Sequence, residues 1–275
     1  LARHPRVTMA IDPQTRLAER PLAAPRTPAS PGAIGSAVMP FTPGAGHSRF
    51  VQRVRRRYAE LLDRLPPGVP RREAIAALVH GLEAEGRPRA EALRVARQLV
   101  VERLCAEDVE REAPLEAVVA AMTELAEVAL DCALEAAFAE QDARHGVPRI
   151  ASGERIDFWI VGMGKLGARE LNVSSDIDLV YVYEEDGETD GTRPITAHEY
   201  FSRVARSLQT LIGDVTEDGF VFRVDLALRP NGASGPPVVS LAMLEEYLQA
   251  HGREWERFAW LKSRVVAPRA SVASG

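Results

Sequence analysis

The spacing of hydrophobic positions along the chain changes once, near residue 150. Between Phe50 and His145 they recur at three- and four-residue steps. Leu93, Ala96, Val100 and Leu104 form one series, and Leu115, Val118, Met122, Leu125, Ala129, Cys132 and Ala136 form a longer one. That spacing is the apolar stripe of an amphipathic helix, and the background of Ala, Leu, Glu and Arg suits helix formation. Pro114 stands where a first helical turn tolerates proline, and Gly146 stands where a helix stops. Beyond Ile150 the apolar runs are short and bounded by turn residues. Residues 156–161, 177–183 and 220–226 read as three strands. A helix is predicted between the second and third, with Thr196 and Glu199 as a capping box. Tyr200, Phe201, Val204, Leu208, Leu211 and Ile212 make its apolar face. A Pro/Gly-rich loop (229–237), a helix after Ser240 and the segment 252–260 follow. Trp255, Phe258 and Trp260 of that segment sit at helical spacing and read as packing residues rather than a binding platform.

This order predicts an α+β protein: an N-terminal helical region followed by a smaller domain of strands and helices. Residues 1–49 read as a linker or disordered, because Pro21 to Pro43 is rich in Pro, Ala, Gly and Ser and buries little apolar surface. The helical domain is set at 50–148 and the second domain at 149–275. Position 1 is Leu, so nothing marks it as a native start.

Composition narrows the class. The chain has 275 residues, 46% of them hydrophobic, enough for a sizeable core. A net charge of −5 argues against a nucleic-acid binder, which usually presents a basic face. No run approaches the roughly 18 apolar residues of a membrane span, and the N-terminus lacks a basic-then-apolar leader. Cys105 and Cys132 make neither a disulfide framework nor a zinc quartet, and read as small buried hydrophobes. The six histidines share no spacing. The expectation is a cytoplasmic protein, with no membrane and no nucleic-acid partner, whose function lies in local motifs.

The informative stretch runs from Trp159 to Leu179. Gly162, Gly164 and Gly167 follow a strand with the spacing of a dinucleotide-binding turn, and Glu184 stands about 20 residues further on. A Rossmann-type NAD-binding protein is therefore one reading. Against it, too few residues separate Gly167 from the next strand for a crossover helix, and Lys165 sits inside the turn. The next strand also opens with Asp176 and Asp178. Side chains two apart on a strand share a face. Two such carboxylates repel unless one is protonated or a cation lies between them, and Mg²⁺ favours oxygen ligands. Asp225, on the third strand among Phe222, Val224 and Leu226, offers a third carboxylate in an apolar setting where an idle charge is costly. Arg223 shares its face, and Arg229 follows. Carboxylates, a glycine turn with its N–H groups, and nearby Lys and Arg describe a phosphoryl- or nucleotidyl-transfer site.

The strings GMGKLGARELNVSSDIDLVYVY (162–183), RVDLALRPNGASGP (223–236) and GREWERFAWLKSR (252–264) resemble the bifunctional glutamine synthetase adenylyltransferase/adenylyl-removing enzymes. The resemblance implies a polymerase-beta-type nucleotidyltransferase fold, truncated here at its C-terminal end. Glu170-Leu171-Asn172 with Asp176-Ile177-Asp178 looks like the family's N-terminal, adenylyl-removing copy, and no second glycine turn follows. Ala168 and Ala227 depart from the family's pattern, the latter where an extra basic residue is usual. The implied reaction is phosphorolysis: inorganic phosphate attacks an AMP-tyrosine of glutamine synthetase and releases ADP, under control of the PII signal protein. Asp176, Asp178 and Asp225 would be catalytic and hold Mg²⁺. Gly162, Gly164, Lys165 and Gly167 would cradle phosphate oxygens, with Ser174 or Ser175 adding a hydroxyl, and Arg223 and Arg229 are further candidates for nucleotide and phosphate. The alternatives are transfer of AMP from ATP to glutamine synthetase, or a catalytically silent fragment.

Overall fold

The computed structural model describes residues 44–268. Most of the predicted linker, residues 1–43, lies outside the described residues. A single 3-10 turn (Ala45–His47) leads into α1 (Arg49–Arg57), with Ser48 as its N-cap. The helical region continues with α2 (Arg72–Ala84), α3 (Arg89–Arg111) and α4 (Leu115–His145). Pro114 is the N-cap of α4, and Gly146, at φ +80°, ends it. The α4 stripe is buried from Val118 to Cys132, but Leu115 is exposed, because it stands at the tip of the α3–α4 hairpin. Cys132 is buried and Cys105 half-buried. Burial pushes both thiols up, Cys132 to about 11, which keeps them protonated and unreactive.

The second region comprises β1 (Pro148–Arg149), β2 (Phe158–Gly162), α5 (Gly164–Gly167), β3 (Ile177–Tyr183), β4 (Glu188–Thr189), α6 (Ala197–Gly213), β5 (Val224–Asp225), β6 (Val238–Ser240), α7 (Leu241–Ala250), α8 (Glu254–Ala259) and β7 (Arg264–Ala267). The fold is α+β. The main sheet runs β5-β3-β2-β7, and β6 also pairs with β3. β2 and β3 are antiparallel, from Phe158 opposite Tyr183 to Gly162 opposite Leu179. That excludes the dinucleotide-binding reading, in which the strands flanking the glycine turn are parallel. β5 and β6 run parallel to β3.

Alternation along β3 builds two cores. Ile177, Leu179, Tyr181 and Tyr183 join one large core with α2, α3, α4 and α6, so the helical and sheet regions share apolar packing. Phe201 of α6 stacks on Phe158 (5.0 Å between centroids) and on Tyr183 (5.3 Å). Val180 and Val182 face the other way, into a smaller core with Val161, Met163, Val239 and Leu244. Thr196 caps α6 by accepting from the Glu199 N–H, and Ser240 caps α7 in the same way from Met243.

Two expectations need correction. The third strand shrinks to Val224–Asp225, because the N–H groups of Val221 and Phe222 both donate to the Ile212 carbonyl and close the end of α6 instead. Trp255 and Phe258 are not packing residues: they are 52% and 69% exposed. α8 has only six residues; its Ala259 and the Trp260 that follows it sit on the smaller core, leaving its other side bare.

Candidate active site

The glycines of the turn do different work. A Cβ on Gly162 would lie 2.7 Å from Val266 Cγ1, and one on Gly167 would lie 2.1 Å from the Lys262 carbonyl oxygen. These two are buried and let the turn press against β7. They do not line the cavity, contrary to their expected place around phosphate. Gly164 adopts φ +55°, and a Cβ there would come within 3.2 Å of Asp178 Oδ2. Its absence keeps the carboxylate open. The spacing that resembles a dinucleotide fingerprint thus answers mainly to close packing.

A cavity of about 450 Å³ opens beside Gly164 and Lys165. Asn172, Ser174, Ser175, Asp176, Asp178 and Arg223 complete its lining. Lys165 Nζ donates to Ser175 Oγ (3.2 Å), which donates to Asn172 Oδ1 (2.6 Å). Arg223 reaches across from the segment before β5. It pairs with Asp176 (2.5 Å) and donates to the Ser174 carbonyl (3.1 Å). Asp176 therefore has a cationic partner, which its own strand does not provide.

Asp178 is half-buried and stands in register with Asp225 on the parallel strand β5. Burial, and then the charges of Asp225 and Asp176, hold its carboxyl above the usual carboxylate range, while Lys165 pulls the other way. Asp225 is exposed rather than set among apolar side chains, since β5 is a two-residue edge segment. Its Oδ1 accepts from the Ala227 N–H (2.7 Å), making a tight turn. Arg229 donates to the carbonyls of Leu226, Ala233 and Gly235. It braces its own loop and does not line the cavity. Among the described residues, no three acidic, histidine or cysteine side chains form a ready-made metal cage: Asp176 is turned to Arg223, and Asp225 to its turn. The donors themselves are hard oxygens, and Asp178 carries the strain of like charges that a divalent cation relieves. Hard oxygen donors of this kind are chemically suited to Mg²⁺.

Residues outside these motifs hold the site in place. Arg264 of β7 donates to the Leu166 and Gly167 carbonyls (both 3.2 Å) and pairs with Glu127 of α4 (2.6 Å), a side chain 2% exposed. The turn is thereby fastened to the helical region. No local spacing marks Arg264 or Glu127, because their contact joins distant parts of the chain.

A model of the glutamate-ammonia ligase adenylyltransferase family matches residues 41–274. The chain belongs to this family. Relatives named bifunctional glutamine synthetase adenylyltransferase/adenylyl-removing enzyme include one from Burkholderia mallei, 56% identical over 169 residues, which are 61% of this chain and 18% of the relative. Those from Ralstonia nicotianae and Nitrosomonas eutropha are 44% and 43% identical over 251 and 249 residues, which are 88% and 87% of this chain. Each of the two is covered over 26% of its own length. The chain thus spans about a quarter or less of the relatives it matches. In this adenylyltransferase-family chain the matched span includes every described residue of the cavity. Among the described residues, no helix is long and apolar enough to cross a membrane.

Proposed function

We propose that this chain carries the adenylyl-removing chemistry of its family, a Mg²⁺-dependent phosphorolysis of AMP-tyrosine on glutamine synthetase, which is another name for glutamate-ammonia ligase. The observation that carries the reading is Asp178: a half-buried carboxylate opposite Asp225, two residues from Asp176, and left uncovered by Gly164. In the reaction an oxygen of inorganic phosphate bonds to the α-phosphorus of AMP. The bond from that phosphorus to the tyrosine oxygen breaks, the tyrosine oxygen takes a proton, and ADP leaves. Asp176, Asp178 and Asp225 would hold the cation, which when bound neutralises the charge developing on the phosphoryl oxygens. Lys165 and the Gly164 N–H orient those oxygens from the turn, and the Ser174 and Ser175 hydroxyls add donors. Arg223 holds Asp176 in place until the cation competes for it. The domain is of the polymerase-beta type, its setting is the cytoplasm, and PII is its regulator.

The direction is assigned on Glu170-Leu171-Asn172 and Asp176-Ile177-Asp178, which resemble the removing copy. Transfer from ATP would use the same groups, and the relatives' names include both activities. The test is Asp178→Asn, assayed for ADP formed from adenylylated glutamine synthetase, phosphate and Mg²⁺. We expect a loss of about 100-fold or more in a folded variant. Unchanged ADP formation would overturn the proposed role, and ATP-dependent labelling without phosphate-dependent ADP release would reverse the direction.

A further inference from the structure

A guanidinium sunk into the protein without an acid is costly unless something else neutralises it. Arg97 of α3, a half-buried residue, is partly in that position. Its Nε is buried with no hydrogen-bond partner, and no ion pair to it occurs among the described residues. Nearby Arg94 shows the contrast: it is 2% exposed, yet it donates to the carbonyls of Ala90, Thr210, Asp214 and Gly219. Arg97 instead lies over aromatic rings, its guanidinium carbon 5.1 Å from the Phe220 centroid and 6.0 Å from that of Phe222. A second cation shares the first ring, since the Arg223 guanidinium carbon is 6.0 Å from Phe220. A ring face attracts a cation but leaves its charge uncancelled. Burial, and then the neighbouring Arg223, weaken the hold of Arg97 on its proton, as expected where positive charge is in excess.

Arg223 lines the acidic cavity. Beyond that lining, the Phe220 ring links Arg223 to Arg97, an arginine of the helical region without an acidic partner among the described residues. We propose that Arg97, Phe220 and Arg223 form a subsite for a tetrahedral oxyanion at the rim of the acidic cavity, occupied in turnover by inorganic phosphate. The identity of the ligand rests on the phosphorolysis reading, whereas the presence of an anion subsite does not. Asp178 and Asp225 repel an incoming phosphate, and Arg223 is engaged by Asp176. Arg97 supplies the charge that attracts the anion, and its planar fork can give it two parallel hydrogen bonds.

The test is thermal unfolding of the 275-residue chain without metal, in chloride buffer, with inorganic phosphate alone and with ADP alone. Phosphate is expected to raise the melting temperature of the wild type, since a ligand of the native state stabilises it. Arg97→Gln is expected to bind phosphate about tenfold or more weakly and, without phosphate, to melt at or above the wild type. Arg97→Lys keeps the charge but not the fork and should retain only part of the phosphate response; it also serves if the Gln variant does not fold. In turnover, Arg97→Gln should raise KM for phosphate about tenfold while KM for adenylylated glutamine synthetase stays within about twofold. Equal phosphate responses in wild type and variants, or none in the wild type, would overturn the subsite. So would a phosphate-free Arg97→Gln that melts well below the wild type, because the guanidinium would then be structural. A response to ADP without one to phosphate would overturn the assigned ligand. If phosphate binds through Arg97 but no ADP is formed, the function fails and the subsite stands.

Discussion

One face of the sheet lies under α4 and α6, in a core where Phe201 is stacked against Phe158 and Tyr183. The other has only α7, the short α8 and Trp260 to close a handful of side chains, with Trp255, Phe258 and Leu261 left outside. Both faces are built from the same strand. Odd-numbered residues of β3 enter the deep core, and Val180 and Val182 enter the shallow one. By the same alternation Asp178 belongs to the shallow face. The deep face fixes the strand while the shallow face leaves a carboxylate reachable, so rigidity and access come from one element.

This contrast can be broken at the deep face. Phe201→Ala empties the centre of an aromatic stack, and should destabilise the chain by about 3–5 kcal/mol in denaturant unfolding. A loss under ~1 kcal/mol would mean that the two faces do not differ in the way described. A smaller effect sharpens the contrast at the site. The Asp178 carboxyl is held above its ordinary range, so the native chain keeps that proton to higher pH than the unfolded chain. The group is harmless at low pH, and its cost to the native state grows as pH rises through the raised value. Metal-free Asp178→Asn should therefore melt a few degrees above the wild type at neutral pH, and the gain should vanish in acid. A gain independent of pH would refute the electrostatic origin. The smallest effect is expected on the bare side of α8, where Phe258→Ser should change stability by under about 0.5 kcal/mol. It should also reduce self-association, as seen by light scattering.

Regular elements were legible in the sequence where one local pattern decided them. The strand 177–183 was read with its bounds, because an apolar run interrupted only by Asp178, with turns at both ends, has few other outcomes. The α6 helix started at its Thr196 cap for the same reason. Phe220–Leu226 misled because its alternation promised a strand, while the N–H groups of Val221 and Phe222 had a nearer acceptor in Ile212. Trp255 and Phe258 misled because helical spacing says which residues share a face, not whether anything covers it. The cavity's acids and glycine turn stood out as a motif. Its fastenings did not: Glu127 and Arg264 act through partners far along the chain, which no window of sequence contains.

The close approach of Gly167 to the Lys262 carbonyl, with Arg264 fastened to the same turn, has a consequence for biosynthesis. The ribosome delivers the glycine turn roughly a hundred residues before the segment that seats it. A nascent polypeptide halted between the two already contains each acid of the cavity, yet has nothing to press the turn into shape. The turn takes its shape only once β7 has emerged and paired with β2.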